Sequence, residues 1–182
     1  MPVIDFLLLV AAKLLLGWLI ADFLGGVLHW LEDRILREDM LLIGPAIVAP
    51  NRLHHRKPMA FAAASLVHRN GTTWIAAASA SALWLLAFGP SAVWAGATLG
   101  GMLTSMVHYL THVPPRPGHP LRILQEIGII QSVAQHAQHH RPTANRRYCV
   151  LTSWLNPVLD AVGIWAGLEV AARWLRVPVD AS

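Results

Sequence analysis

The sequence predicts an all-α fold, a bundle of several membrane-spanning helices with a histidine-rich site for two metal ions at its cytoplasmic face. Three observations support this prediction. Hydrophobic residues make up 55% of the 182 residues and charged residues only 13%, about half the charge of a typical soluble domain. The apolar residues form runs long enough to cross a bilayer. Nine of the ten histidines fall in segments that the charge pattern assigns to one side of the membrane.

The membrane-spanning segments are predicted from two apolar regions. Phe6–Leu31 is too long for a signal-peptide core, so it is interpreted as a retained span. From Asn70 to Pro115 the chain has no Asp, Glu, Lys or Arg. The Gly-Pro pair after Phe88 interrupts this region, because such a pair breaks helices. We therefore expect a helical hairpin with two spans, Thr72–Phe88 and Ser91–His112.

The last third of the chain allows several interpretations. Leu121–His140 and Trp154–Leu175 mix apolar and polar residues, and each is compatible with a span, a partly inserted helix or an interfacial helix. The length and the absence of an internal repeat predict one domain over residues 1–182. Cys149 is the only cysteine, which excludes an internal disulfide and a cysteine-bound iron–sulfur cluster within one chain.

Charge predicts the orientation of the spans. Arg and Lys concentrate in two loops, Asp33–Arg69 and Pro114–Tyr148, and the turn at Gly89 has none. The positive-inside rule assigns both loops to the cytoplasm, so we expect an integral protein of a bacterial inner membrane. The net charge is +4, but the basic residues are spread through loops and do not form the aromatic-interleaved stripe typical of nucleic-acid binding. No nucleic-acid partner is therefore expected.

The histidine spacing predicts a metal site. His108 and His112 share one helix face, and His136 shares a face with His139 or His140. Imidazole binds iron, zinc, copper and nickel, so it does not identify the metal. A catalytic zinc uses about three protein ligands, which the candidates exceed, so we expect two metals; a redox-active pair would be non-haem iron. The candidates are His29, His54, His55, His68, His108, His112, His136, His139 and His140.

Four further residues are candidates for contacts behind the ligands. Asp22, His29 and Asp33 share one helix face if the helix continues, and a carboxylate there can accept the second ring N–H of a ligand. The alternative is that Asp33 only begins the loop. Asn70 and Asn156 are candidates for water-mediated ligation, with helix caps as the more ordinary interpretation.

Six motifs in this order resemble the Kua-type lipid desaturase family, which includes plasmanylethanolamine desaturases and CarF-like bacterial relatives. The similarity covers about residues 21–175. The motifs are ADFLGGVLHWLED from Ala21, the His54–His55 pair with Pro58, HRNG from His68, HYLTH from His108, HAQHH from His136 and YCVLTSWLN from Tyr148.

The resemblance implies a membrane-embedded di-iron desaturase that uses O2 and acts on a membrane phospholipid. It implies formation of the vinyl-ether double bond of plasmalogens from an alkyl ether phospholipid, or, as in plant relatives, of a trans double bond near the carboxyl end of an acyl chain. It also implies the nine histidines above as ligands, including His68. One position departs from the family, where Ala144 or Asn145 stands in place of a further histidine. Either that histidine is dispensable or the activity is altered.

Partners and rival functions follow from what the sequence lacks. No flavin or nicotinamide fingerprint is present, so we expect a separate electron donor of the cytochrome b5-like or ferredoxin type; the basic loops favour an acidic one. The alternatives are a fatty-acyl desaturase or hydroxylase on the same site and a metal-binding membrane protein without redox chemistry. A membrane zinc hydrolase is disfavoured because HExxH is missing.

Overall fold

The all-α prediction is confirmed. The computed structural model describes residues 2–141 and 144–180, and every regular element within these ranges is helical. A π-helical turn, Gly44–Val48, leads directly into the second helix. The helices are α1 Val3–Arg34, α2 Ala49–Arg56, α3 Pro58–Ala63, α4 Leu66–Phe88, α5 Ala92–His112, α6 Pro120–Glu126, α7 Val133–His139, α8 Leu155–Ala161 and α9 Ile164–Trp174.

Two helices are long and apolar enough to cross a membrane by themselves. They are α1 and α4, with 32 and 23 residues. At about 1.5 Å per residue α1 is about 48 Å long, which exceeds the roughly 30 Å hydrocarbon core, so part of it extends beyond the hydrocarbon. Helices α8 and α9 together form a third candidate span, bent by 55°.

The segment Leu121–His140 does not form a spanning helix. It contains α6 and α7, with 7 residues each, and each of these helices is only about 10 Å long. Of the three interpretations left open by the sequence, the span is therefore excluded. The polar residues of this segment are instead used for contacts inside the protein: Gln125 donates to the carbonyl of Leu110 (3.0 Å) and Gln131 to that of Cys149 (2.6 Å).

The hairpin of α4 and α5 is formed as predicted. Helix α4 ends at Phe88, Gly89 has φ 71°, and Ser91 caps α5 by accepting from the Trp94 N–H at 3.1 Å. Helix α5 is not among the helices whose composition alone marks a span, because glycine, hydroxyl and histidine residues dilute its apolar ones. The helix is confirmed, whereas its crossing of a membrane stays a prediction.

Helices α1 and α5 run parallel in backbone contact. A Cβ on Gly17 would overlap the carbonyl oxygen of Val93, and a Cβ on Gly96 would overlap that of Leu14. Small residues at such positions let helix backbones approach closely, as is common in membranes. Further along the two helices Gly100 lies against Ala21, and the His29 and His108 rings lie 6.1 Å apart. Residue numbers therefore rise together along the contact, which brings the C-terminal ends of α1 and α5 side by side.

Helix α4 packs against another part of α5 through polar pairs. The hydroxyls of Thr73 and Ser105 are 2.6 Å apart, and the Trp74 indole N–H donates to the Met102 carbonyl at 3.1 Å. Interhelical hydrogen bonds of this kind stabilise helix pairs in an apolar environment. Both α1 and α4 are thus fixed on α5, which is the central helix of the bundle.

Residues 148–152, between α7 and α8, form no helix and are buried. Tyr148, Cys149, Leu151 and Thr152 are fully inaccessible. Tyr148 and Cys149 form a core cluster with Trp30, Trp165 and Ala172. This buried segment therefore packs against the C-terminal part of α1.

The α1–α5 contact yields a stability prediction. Gly96→Ala should lower the free energy of unfolding by about 1–3 kcal/mol, because the methyl group must displace the Leu14 backbone. Gly71→Ala is the matched control, since a Cβ at this helical position meets nothing within 4 Å and alanine favours helix over glycine by about 0.5–1 kcal/mol. Thermal unfolding of both variants in detergent measures the difference. Equal stability of the two variants would contradict the close contact.

Candidate metal centre

The first group of possible ligands comes from three elements. Helix α2 contributes one imidazole, the end of α5 contributes two, and α7 with the residue after it contributes two more. One nitrogen of each ring lies within 4.8 Å of a nitrogen of every other ring. The members of this group are His54, His108, His112, His136 and His140.

The nitrogens of this group converge on one point. Nε2 of His136 lies 2.9 Å from Nε2 of His108, His112 and His140, and the His108 and His112 Nε2 atoms are 3.3 Å apart. A neutral imidazole has one N–H, so these contacts cannot all be hydrogen bonds. Two ligands bound at right angles at about 2.1 Å from one ion would lie about 3 Å apart. The separations therefore match those of nitrogens that share a metal ion.

The second group lies beside the first and includes a carboxylate. Nε2 of His139 is 3.2 Å from Nε2 of His29 and 3.3 Å from Asp33 Oδ2, and Nε2 of His55 is 3.2 Å from Asp33 Oδ1. These four residues satisfy the same 4.8 Å criterion. Asp33, expected behind the ligands or at the start of the loop, thus lies within reach of the same ion as the three histidines.

Consecutive residues in α2 and at the C-terminal end of α7 serve different groups. His54 and His140 belong to the first group, whereas their neighbours His55 and His139 belong to the second. Side chains one residue apart point about 100° apart around a helix, so each pair of neighbours contributes one ligand to each group. The two groups also meet where the His29 and His108 rings lie 6.1 Å apart. The arrangement suits two adjacent metal ions.

Backbone carbonyls orient two ligands of the second group. Nδ1 of His29 lies 3.1 Å from the Tyr148 carbonyl oxygen, and Nδ1 of His139 lies 3.0 Å from that of Arg146. Because a carbonyl only accepts, the ring must donate from Nδ1. This places the lone pair of the neutral ring on Nε2, toward Asp33 and the other ligand nitrogens.

Several buried nitrogens of the first group have no hydrogen-bond partner among the described residues. These are both ring nitrogens of His54 and Nδ1 of His136 and His140. Burial, followed by the nearby His140 and His112 rings, lowers the pKa of His54 to about 2. Burial likewise lowers the pKa of His140 to about 2 and that of His136 well below its usual value. Neutral, unpartnered imidazoles are ready to bind a metal, so the donor set fits one.

The structure does not bring His68 to either group. His68 lies exposed in the first turn of α4, where its N–H donates to Ser65 Oγ at 3.3 Å. Asn70 is buried and donates to the Leu66 carbonyl at 2.7 Å, while its Oδ1 has no partner among the described residues. Eight of the nine candidate histidines are therefore assembled.

Asp22 and Asn156 bind the buried segment, residues 148–152, rather than a histidine. Asp22 accepts from the Leu151 N–H (2.8 Å), the Thr152 N–H (3.0 Å) and the Thr152 hydroxyl (2.7 Å). Asn156 accepts from the Cys149 N–H at 3.0 Å and donates to the Cys149 carbonyl at 2.7 Å. Both side chains thus fix the segment whose carbonyls orient His29 and His139.

Sequence reasoning missed the aromatic residues that enclose the site. The Tyr148 ring lies 4.9 Å from that of His139 and 5.7 Å from that of His29. Phe61 lies 4.8 Å from His108. Tyr148 was visible in the YCVLTSWLN motif, whereas no signal marked Phe61.

A cleft of about 390 Å³ leads away from the two groups. It is formed by α1, α4 and α5, and both His29 and His108 belong to its wall. Leu24 and Leu28 of α1 also line it and are 51% and 52% exposed, so the cleft opens sideways between the helices. An apolar molecule could enter from the bilayer and reach the histidines.

A family model described as the lipid desaturase domain matches residues 18–176. The chain belongs to the lipid desaturase family. This confirms the family resemblance proposed from the ordered motifs, and the matched range agrees with the predicted extent of about residues 21–175. Family membership and the candidate spans together indicate an integral membrane protein.

Three curated proteins are similar to this chain over most of its length. Plasmanylethanolamine desaturase of Myxococcus xanthus is 30% identical over 173 residues, which cover 91% of this chain and 61% of that protein. Plasmanylethanolamine desaturase 1 of Mus musculus is 28% identical over 174 residues, covering 88% and 64%. A probable fatty acid desaturase of Acanthamoeba polyphaga mimivirus is 28% identical over 178 residues, covering 90% and 82%.

The chain thus spans about three fifths of the length of the two plasmanylethanolamine desaturases. No solved structure matches it. The family supports an oxidoreductase that acts on a lipid and uses a metal.

The division of ligands predicts separate losses of metal. His139→Ala and His140→Ala remove neighbouring residues from different groups, so each variant should lose about one of the two ions and the double variant most of both. Elemental analysis of purified protein measures this loss. His68→Ala and His119→Ala are the controls, because both side chains are exposed and outside the two groups. Loss of metal in His68→Ala would instead support the ligand role predicted from the motif.

Asp22→Asn should loosen the buried segment. The amide places an N–H₂ where a carboxylate accepts three hydrogen bonds, and unmatched buried groups cost about 1–3 kcal/mol each. Cys149 reports the change, since burial raises the pKa of its thiol and keeps it un-ionised at neutral pH. We expect slow thiol alkylation in the parent and faster alkylation in Asp22→Asn. Asp39→Asn, which alters an exposed aspartate, should match the parent, and unchanged labelling of Asp22→Asn would refute this role.

Proposed function

We propose that this protein is a membrane di-iron, O2-dependent lipid desaturase that forms the vinyl-ether double bond of plasmalogens from an alkyl ether phospholipid. The observation that carries the proposal is the position of two adjacent ligand groups at an apolar cleft that opens sideways. A hydrolase or a transporter would not require a redox-capable site beside a space suited to a hydrocarbon chain. The two similar plasmanylethanolamine desaturases support the specific reaction.

The net reaction removes two hydrogen atoms from adjacent carbons and reduces O2 to two waters with two electrons and two protons from outside. Iron bound by the histidines would supply the oxidising power for an unactivated methylene pair, which side chains alone lack. Nitrogen ligands and one carboxylate suit iron, although zinc, copper and nickel accept similar ligands. The ligands alone do not identify the metal, so the assignment of iron is part of the proposal.

The protein's own residues hold the ligands and exclude water. The Tyr148 and Arg146 carbonyls keep the Nε2 atoms of His29 and His139 directed inward. The Phe61 and Tyr148 rings cover the imidazoles. A rigid, dry surrounding favours one productive position of the substrate and limits side reactions.

The depth of the cleft supports reaction near the headgroup end of the chain. Along α5 the cleft wall runs from His108 to Trp94, about 21 Å at 1.5 Å per residue. One leaflet of the hydrocarbon core is about 15 Å thick. Most of a lipid chain can therefore lie beyond the histidines, which leaves the carbons next to the headgroup beside the site.

A fatty-acyl desaturase or hydroxylase is the second candidate. The mimivirus relative, of which the chain covers the larger share, carries the name of a fatty acid desaturase. An acyl chain would occupy the same apolar cleft, and both reactions would take place near the headgroup. The residues on the cleft wall do not distinguish an ether from an ester link.

The electron donor and the orientation belong to the same proposal. Arg146 carries an exposed side chain, and its carbonyl accepts from His139. Arg56, Lys57 and Arg141 are exposed at the same end of the bundle. This basic surface supports an acidic donor of the cytochrome b5-like or ferredoxin type and a cytoplasmic position in a bacterial inner membrane.

The decisive experiment is expression in a host that has ether lipids but no vinyl ethers. We expect acid-labile vinyl-ether phospholipid to appear with the parent chain and to be absent with His139→Ala. His119→Ala, which changes an exposed histidine outside both groups, should retain the product. Mass spectrometry of lipids before and after mild acid measures it.

Two results would contradict the proposal. Folded, iron-loaded protein with a working donor that makes acid-stable alkenes in acyl chains would support the acyl desaturase. Purified protein with about one zinc or no metal would refute the di-iron centre.

A further inference from the structure

The cleft continues well beyond the metal-binding groups. Its wall on α4 and α5 consists largely of small side chains, among them Ala77, Ala80, Ala97 and Gly101. Gly101 is itself in close contact with Ala77, since a Cβ there would lie 3.1 Å from the alanine methyl group. The small residues leave space along the hairpin for one narrow apolar chain.

Two tryptophans stand at the far end of this space. Among the cleft-lining residues of α4 and α5, Trp84 and Trp94 lie nearest in sequence to the turn at Gly89. The Trp94 indole N–H donates to Ser81 Oγ at 2.9 Å, and Ser81 Oγ lies 2.9 Å from Thr98 Oγ1. These contacts fix the Trp94 ring across the hairpin.

Each polar side-chain group of Trp94, Ser81 and Thr98 has a hydrogen-bond partner within this trio. Because the indole N–H, the Ser81 hydroxyl and the Thr98 hydroxyl are hydrogen-bonded to one another, they do not require a polar group from a ligand. The Trp94 ring therefore presents carbon atoms to the cleft. Such a surface suits the methyl end of a hydrocarbon chain and blocks a longer one.

We propose that Trp94, held by Ser81 and Thr98, closes the cleft and sets the length of the lipid chain that the protein accepts. The inference rests on the proposed function in taking the occupant to be the hydrocarbon chain of a membrane lipid. It goes beyond that function in assigning chain-length selection to named residues. Continuity with the site supports this occupant, since His29 and His108 line the same cleft.

If the cleft is closed at Trp94, the length of the bound chain determines where its reacting carbons lie relative to the histidines. With the chain end against Trp94, a chain with an additional methylene displaces the reacting carbons from the histidines or enters the cleft incompletely. One methylene in a closely fitting apolar pocket changes discrimination by about tenfold. A cleft open at this end would show no such limit.

The test uses the whole chain in nanodiscs that contain equal amounts of ether phospholipids differing only in alkyl chain length. Mass spectrometry of the bound lipid gives the preferred length, and metal content is measured on the same samples. Trp94→Ala should raise the share of the longest chains relative to the parent's preferred chain by about tenfold. Ala80→Phe should shift the preference toward shorter chains, because its ring fills the cleft before the end.

Matched controls make one large-to-small and one small-to-large change on the same helices outside the cleft. Leu99→Ala removes an exposed side chain from α5, and Ala82→Phe adds a ring to an exposed position of α4. Both should bind the parent's chain lengths. If Trp94→Ala does not fold, Ala80→Phe alone decides.

The outcomes separate this inference from the proposed reaction. A shift of bound chain length, together with no vinyl-ether product in the expression host when the protein is iron-loaded and has a working donor, supports the chain-length role and refutes the proposed reaction. Vinyl-ether product with an unchanged distribution of bound chains in both variants refutes the chain-length role and leaves the reaction supported. The same shift in the controls would also refute it, since the effect would not then come from the cleft.

Discussion

The close contact between α1 and α5 determines the rest of the structure. Gly17 and Gly96 allow the two backbones to touch, and the parallel register then carries His29 of α1 beside His108 of α5. The same contact forms one side of the apolar cleft. Larger side chains at the contact would separate the two metal-binding groups and widen the cleft together. Both depend on one interface because the ligands and the cleft are built on the same pair of helices.

Much of the site followed from the sequence because charge and helix length determine which ends of the spans meet. They do not determine how ligands divide between two ions. His54 and His55, like His139 and His140, are neighbours in sequence but serve different groups. That division depends on the direction of each side chain, which only the packing of α2 and α7 fixes. The orienting carbonyls were also hidden, since every residue has one and the sequence does not show which are buried beside a ring.

Asn145, one of the two positions at which the family resemblance implied a further histidine, has a structural role of its own. Asn145 accepts from the Tyr148 hydroxyl (3.1 Å) and donates to Glu169 (2.9 Å), which in turn binds Arg34 at 2.6 Å. Asn145 therefore connects the end of α1, the buried segment and α9. With five possible ligands in one group and four in the other, neither group needs a further histidine at this place to hold an ion. The contacts of Asn145 therefore concern the attachment of α9 and not the binding of a metal.

Metal and fold support each other in such a site. The apolar helices supply little polar material to satisfy eight buried or half-buried imidazoles and a carboxylate, and His54 is left with neither nitrogen paired among the described residues. Unsatisfied buried polar groups cost about 1–3 kcal/mol each, so an ion bound by these nitrogens would offset that cost. Ligands that bind only the folded state stabilise it. Bound ions would therefore add stability to the part of the bundle that contains the histidines. The neighbouring buried segment is already stabilised by its hydrogen bonds to Asp22 of α1.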